Sequence, residues 1–182
     1  MHLHQYRQNL KLIPYLSDAS PANWNIFIIN QIPFNMLTFK KLRKESDFDE
    51  NQGRENFVDF LYTHLDQFGD PKEAINKCID YALGKDGKPG GFLLAAYYEE
   101  KLVGTLIINN TGMSGYIPEH ILVYVAVDAA YRGKGFGKQI VERAIADCTG
   151  DVKLHVEYEN PAKRLYERIG FSTKYAEMRF RK

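Results

Sequence analysis

The segment Arg132-Gly133-Lys134-Gly135-Phe136-Gly137-Lys138 interleaves glycines with cations, which suits a phosphate or pyrophosphate ligand. Glycines let an anion approach backbone N–H groups without meeting a Cβ, and Arg132, Lys134 and Lys138 add full charges. Before it, Val123-Tyr124-Val125-Ala126-Val127 reads as an apolar strand. After it, Phe136, Ile140, Val141, Ala144, Ile145 and Cys148 recur with the period of a helix laid on a sheet. A strand therefore feeds a glycine-rich loop, and the loop feeds a helix N-terminus, where amides and the macrodipole favour negative charge. For a G-x-G pattern alone, a tight turn with solvated cations is an equally open reading.

Two familiar phosphate loops do not fit. A dinucleotide fingerprint needs G-x-G-x-x-G, and Lys138 stands where its third glycine would fall. A nucleotide P-loop needs Ser or Thr after Gly-Lys, whereas Gly137-Lys138 is followed by Gln139. Further along, Asn160-Pro161 opens a second helical pattern with Ala162, Leu165, Tyr166 and Ile169 on one stripe, closed by Gly170-Phe171.

A chain of 182 residues, 45% hydrophobic and 26% charged, has ordinary globular composition and suits one principal domain. Twenty-four Lys and Arg against 23 Asp and Glu leave a net charge of +1, so no global field draws in nucleic acid or a membrane surface. The basic residues near Lys40 to Lys44 are followed at once by Glu45, Asp47, Asp49 and Glu50, which argues against a nucleic-acid module. No run is long and apolar enough to cross a membrane and no signal-peptide core appears, so a cytoplasmic protein is expected. Cys78 and Cys148 lie on apolar helix faces without metal-ligand spacing, and the histidines form no H-E-x-x-H cluster. No metal is expected.

The elements that must position these residues follow in order. Residues 1–35 form an N-terminal extension of unassigned role, which could pack on the chain's own surface or on a second copy in a homodimer. Residues 36–182 form the main domain. Leu37 to Arg43 suits a first strand, and Asp47 to Phe68 a helix with Phe57, Phe60, Leu61, His64 and Leu65 on one face. Asp70-Pro71-Lys72-Glu73 carries helix-start signals, with Asp70 as the N-cap. Gly91 to Tyr98 and Leu102 to Ile108 read as a hairpin closed by Glu99-Glu100-Lys101. The loop Asn109 to Pro118 leads to the central strand, and its Met113 and Tyr116 could line a substrate mouth. Val152 to Tyr158 reads as a strand and Phe171 to Arg181 as a last extended segment. Mixed elements of this kind imply an α+β, three-layer fold with helices on both faces of one sheet.

Taken together, Arg132-Gly-Lys-Gly-Phe-Gly137 and Asn160-Pro-Ala-Lys-Arg-Leu-Tyr166-Glu-Arg-Ile-Gly170-Phe171 resemble the two signatures of the GNAT superfamily of acyl-CoA-dependent N-acetyltransferases, about thirty residues apart as that family requires. The resemblance runs from about Leu37 to Lys182. It implies a mixed, splayed β-sheet in which the central strand and the next strand part, with acyl-CoA's pantetheine arm in the gap. On that basis Val125, Ala126 and Val127 would pair with the pantetheine amides through free backbone groups. The loop Arg132, Gly133, Lys134, Gly135, Phe136, Gly137 and Lys138 would hold the pyrophosphate. Asn160 would hold the pantetheine or simply cap its helix. Tyr166 would protonate the departing thiolate, or serve as core packing.

The resemblance implies an enzyme moving an acetyl group from acetyl-CoA directly to a primary amine of a small molecule or peptide. A non-catalytic acyl-CoA sensor or scaffold of the same fold is the alternative. An alkyl amine of pKa about 10.4 costs about 4.6 kcal/mol to deprotonate at pH 7. Many relatives place a glutamate on the central strand to take that proton, but here the matching position is Val123, with Tyr124 beside it. Glu119 is the candidate base, with His120 and Glu157 as substitutes acting through water.

Overall fold

The computed structural model describes residues 36–48 and 53–182. The readings for residues 1–35 therefore lie outside the described residues. From Leu37 the chain builds one five-stranded sheet in the order β1-β2-β3-β4-β5, with strands Thr38–Leu42, Gly91–Tyr98, Lys101–Asn110, His120–Val127 and Val152–Leu154. The first four strands are antiparallel neighbours, and β5 joins β4 in parallel. Helices α1 (Arg54–Leu65) and α2 (Lys72–Ala82) cover one face, and α3 (Phe136–Ala146) and α4 (Lys163–Ile169) the other. This is the expected α+β, GNAT-like architecture.

Covering both faces explains the apolar runs of β2 and β3. On β2, Phe92, Leu94 and Ala96 belong to the core under α3 and α4, while Leu93 and Ala95 belong to the core under α1 and α2. Alternate residues of a strand point to opposite faces, so a strand buried on both sides loses its polar alternation. The α3 stripe, Phe136, Ile140, Val141 and Ala144, is buried as its period requires. Each large side chain removed from water in this way stabilises the fold by roughly 1.5–3 kcal/mol.

Several boundaries differ from the sequence reading. The hairpin turn is the two residues Glu99 and Glu100, both at positive φ (48° and 64°), which is the type I′ turn that matches strand twist. Helix α1 starts at Arg54, after a single 3₁₀ turn at Glu45–Asp47. Strand β5 ends at Leu154 instead of Tyr158, and no strand is assigned within Phe171 to Arg181. Tyr175, Met178 and Phe180 are exposed there, so no sheet neighbour covers that segment among the described residues.

Asp70 departs from its expected role. Helix α2 begins at Lys72 with Pro71 in the cap position and no side-chain cap bond, although an Asp cap is worth about 1 kcal/mol. The Asp70 carboxylate instead accepts a hydrogen bond from the Tyr124 hydroxyl at 2.6 Å. Among the described residues, no helix is long and apolar enough to cross a membrane.

Candidate functional site

The central strand β4 behaves differently along its length. At its start, His120, Ile121 and Leu122 pair with Val152, Lys153 and Leu154 of β5. Beyond Leu122 that pairing stops, so one edge of Val123 to Val127 has no strand beside it. On the β3 side Ile108 pairs with Leu122 and Ile107 with Tyr124, which makes Val123 a β-bulge. The bulge changes the facing of the strand. Leu122 belongs to the core under α3 and α4, whereas Tyr124 and Ala126 belong to the core under α1 and α2. The strand thus loses its β5 neighbour and changes facing at the same point.

From Val127 the chain passes through a 3₁₀ turn, Ala129–Tyr131, into the glycine loop. Gly133 and Gly135 sit at φ 78° and 81°, the left-handed region that other residues enter with strain. A Cβ on either would meet nothing within 4 Å, so the space in front of the loop is open. Gln139 is the first residue after Arg132 whose amide donates to the backbone, reaching Gly135 O at 3.2 Å. The amides from Gly133 to Lys138 have no backbone acceptor among the described residues, and they crown the N-terminus of α3. Unbonded amides, a macrodipole and open space fit the diphosphate of a nucleotide. Gly137 has a different reason for being small: a Cβ there would press on Leu165 of α4 and Val127 of β4.

The side chains of the loop divide by role. Lys134 lies over the Tyr131 ring with its ammonium 4.7 Å from the centroid, and exposed Lys138 stands 3.7 Å from Glu142. Both can swing to an anion at small cost. Arg132 is committed elsewhere: its Nη2 donates to His64 O at 2.6 Å and its Nε to Val127 O at 3.1 Å. Its guanidinium therefore ties the loop to the end of α1 and occupies the Val127 carbonyl. Phe136 is 1% exposed, with its ring against Tyr98 and Tyr131. Only its amide is available to a ligand.

On the facing helix, Asn160 Oδ1 accepts from the Ala162 amide at 2.9 Å, so its oxygen caps the turn into α4 while its amide nitrogen can still donate. Tyr166 is 8% exposed, packs edge-on against Phe171, and belongs to the core that Val125 and Val127 border. Burial pushes its phenol up to about 12. Its hydroxyl makes no hydrogen bond among the described residues. A protonated phenol without a partner, beside the open edge of β4, is suited to donating a proton.

Glu119 is not brought to this corner. It precedes the paired end of β4, where its carboxylate accepts from the Asp151 amide at 2.9 Å, a bond that holds it below the usual carboxylate range. A strand rise of about 3.3 Å per residue puts it about 25 Å from Val127. His120 is buried beside it, with Nδ1 2.9 Å from Asn110 Oδ1 and Nε2 3.3 Å from Thr149. The Asn109 to Pro118 loop, with Met113 and Tyr116 exposed, joins β3 to β4 at the same closed end. None of these reaches the open edge.

Sequence reasoning did not bring Tyr124 and Asp70 together. The hydroxyl of Tyr124 meets Asp70, and Asp70 lines a cleft of about 960 Å³ with Tyr62, Thr63, Asp66, Gln67, Lys72 and Glu73. A tyrosine in an otherwise aliphatic strand was the available signal, since a buried phenol needs a partner. The thiols offer no competing nucleophile: burial pushes Cys78 up to about 12 and Cys148 up to about 11. Among the described residues no group of His, Cys, Asp and Glu is placed to hold a metal.

Comparison with known proteins converges on the same fold. A family model described as acetyltransferase (GNAT) family matches residues 54–171. Among solved structures, an aminoglycoside N-acetyltransferase in complex with CoA superposes with TM-score 0.58 at 13% identity, covering 81% of this chain and 95% of that one. An aminoglycoside antibiotic 6'-N-acetyltransferase from Acinetobacter haemolyticus gives TM-score 0.57 at 14% identity, over 80% of this chain and 97% of that one. An integron cassette protein from V. cholerae gives 0.58 at 18%, over 81% and 94%. No curated protein matches the chain by sequence. The structural likenesses speak for fold alone, but the family model spans well over half of the sequence, and the chain belongs to the GNAT acetyltransferase family.

Proposed function

We propose that this protein transfers an acetyl group from acetyl-CoA directly to a primary amine in a ternary complex. The observation that carries the reading is the parting of β4 from β5 after Leu122, continuing into a loop of unbonded amides at the start of α3. In this reading the amides from Gly133 to Lys138, with Lys134 and Lys138, hold the diphosphate. The open edge at Val125 and Ala126 pairs with the pantetheine amides, and Asn160 donates to the same arm through its side-chain nitrogen. Arg132 shapes the loop by bracing it against α1.

The acetyl thioester would then lie beside the open edge, with Tyr166 as general acid to the leaving sulfur. A thiol of pKa about 8.5 is a fair leaving group, so this acid contributes at most about 10²–10⁴-fold. Holding amine and thioester together supplies the larger share of the rate. The high thiol pKa values of Cys78 and Cys148 argue against a covalent acyl-enzyme.

Calorimetry with acetyl-CoA, followed by thiol release with a panel of primary alkyl amines, tests the reading. Saturable binding and turnover with at least one amine are expected. Binding without turnover of any amine would favour the sensor or scaffold alternative, which the missing carboxylate at Val123 supports. Failure to bind at millimolar acetyl-CoA would overturn both.

A further inference from the structure

The acceptor's proton needs a destination, and the neighbourhood of the open edge supplies one that lies away from Glu119. Tyr124 directly follows the bulge at Val123 and is among the first β4 residues past the last β5 pair, Leu122 with Leu154. The bulge turns its ring to the face covered by α1 and α2, opposite the core that holds Tyr166. There its hydroxyl donates to Asp70 Oδ2 at 2.6 Å, the length of a charge-assisted bond. With its proton committed to a carboxylate, the phenol oxygen keeps only lone pairs for a further partner; Tyr124 is 9% exposed, and its partner Asp70 lines the neighbouring cleft.

Asp70 makes this contact while helix α2, with Pro71 in its cap position, has no side-chain cap bond. Arg179, bonded to Glu177, stands within Coulombic reach of both Asp70 and Glu157. Cys78 is near enough to feel the Asp70 charge but is bonded to Asn109 and stays a thiol.

We propose that Tyr124 is the catalytic residue that takes the proton from the acceptor nitrogen, and that Asp70 is the positioning residue that fixes the phenol as an acceptor and receives its proton in turn. This rests on the acyl-transfer reading above. As the amine lone pair forms the N–C bond, the C–S bond breaks and its electron pair leaves on sulfur. The nitrogen's proton moves to Tyr124 Oη while the Tyr124 proton moves to Asp70 Oδ2. Sulfur takes one proton from Tyr166, so one proton leaves nitrogen and one joins sulfur. Solvent carries the proton from Asp70 back to Tyr166, and nothing is oxidised or reduced.

The test compares Asp70→Asn, Tyr124→Phe and the double variant, using acetyl-CoA with the primary alkyl amine that the wild type turns over fastest. Asn accepts the same hydrogen bond but cannot take the proton, so it preserves the geometry and removes the chemistry. We expect each single variant to lose about 10²–10³-fold in kcat, with acetyl-CoA affinity by calorimetry within twofold of wild type. The double variant should lose no more than the worse single, because the two groups act as one unit, and Asp70→Glu should recover part of the rate. A kcat within twofold of wild type in Asp70→Asn or Tyr124→Phe would overturn the relay while leaving acyl transfer standing. Losses that multiply in the double variant, or that appear as weakened acetyl-CoA binding, would reduce the pair to packing. Absence of turnover in the wild type itself would remove the underlying reading.

Discussion

The two ends of β4 share a strand and differ in how their polar groups are satisfied. At the His120 end every neighbour is in place: β5 pairs in register, Glu119 reaches the Asp151 amide, and the buried His120 ring bridges Asn110 and Thr149. At the Val127 end the β5 edge is missing, the loop amides lack backbone acceptors, and the Tyr166 hydroxyl has no partner among the described residues. The buried Tyr166 hydroxyl is costly to leave unpaired, whereas the amides of Gly133, Lys134, Gly135 and Lys138 belong to exposed residues and are open to solvent or a ligand. In the acyl-transfer reading proposed above, the open end is where a second molecule completes the hydrogen bonding.

The sharpest way to break that contrast is Gly135→Val at the open end. Its φ of 81° is unsuited to a β-branched residue, and the new side chain would project into the open space before the amides. Acetyl-CoA affinity by calorimetry should fall more than about 100-fold, whereas backbone strain of about 1–3 kcal/mol leaves the domain folded by circular dichroism. Unchanged affinity would mean that the unbonded amides are not the diphosphate site.

Tyr166→Phe is the next largest effect and sharpens the role of the open end. It should lower kcat about 10–100-fold with little change in the acetyl-CoA KM. Because burial pushes the phenol up to about 12, the wild-type residue stays protonated far above neutrality. The ratio of wild-type to variant kcat should therefore be flat from pH 6 to pH 9. A wild-type kcat in the variant would return Tyr166 to packing against Phe171.

How much of this was legible before folding depends on distance along the chain. The loop and its helix were readable because glycine spacing, charge and 3.6-residue periodicity are local. The two faces of the sheet were readable from the apolar runs of β2 and β3. Asp70 was misread because its local sequence, Asp-Pro-x-Glu, is a good cap, and only a partner 54 residues away in sequence outcompetes it. The bulge at Val123 carries no residue signature, yet it decides that Tyr124 faces α1 and α2. Arg132 looked like a phosphate ligand because its charge was visible and its partners, the carbonyls of His64 and Val127, were not. Phe136 similarly belonged to the loop by position and to the core by chemistry.

His120→Ala tests the closed end. It removes a buried ring that satisfies both Asn110 and the Thr149 amide, so it should cost about 2–3 kcal/mol. In a domain of this size that lowers Tm by about 5–9 °C. Acetyl-CoA affinity and kcat of the folded fraction should remain within twofold of wild type. A selective loss of kcat at unchanged Tm would extend the chemical region down to the paired end.

Glu119→Gln should have the smallest effect and the most specific pH signature. The Asp151 amide holds the Glu119 carboxyl below its ordinary value of 4.5, so between the two pKa values the unfolded chain binds more protons than the folded one. Stability then rises with pH across that window. The contribution is fully present above the unfolded value, near pH 4.5, and disappears as pH falls through the lower folded value. The Tm of wild type should therefore exceed that of Glu119→Gln slightly at pH 7, and the gap should close as pH falls through the folded value, with kcat unchanged at neutral pH. A base at this position would instead show itself as a loss of kcat at pH 7, and would require the acceptor to bind at the paired end of β4, a strand's length from the amides of the glycine loop.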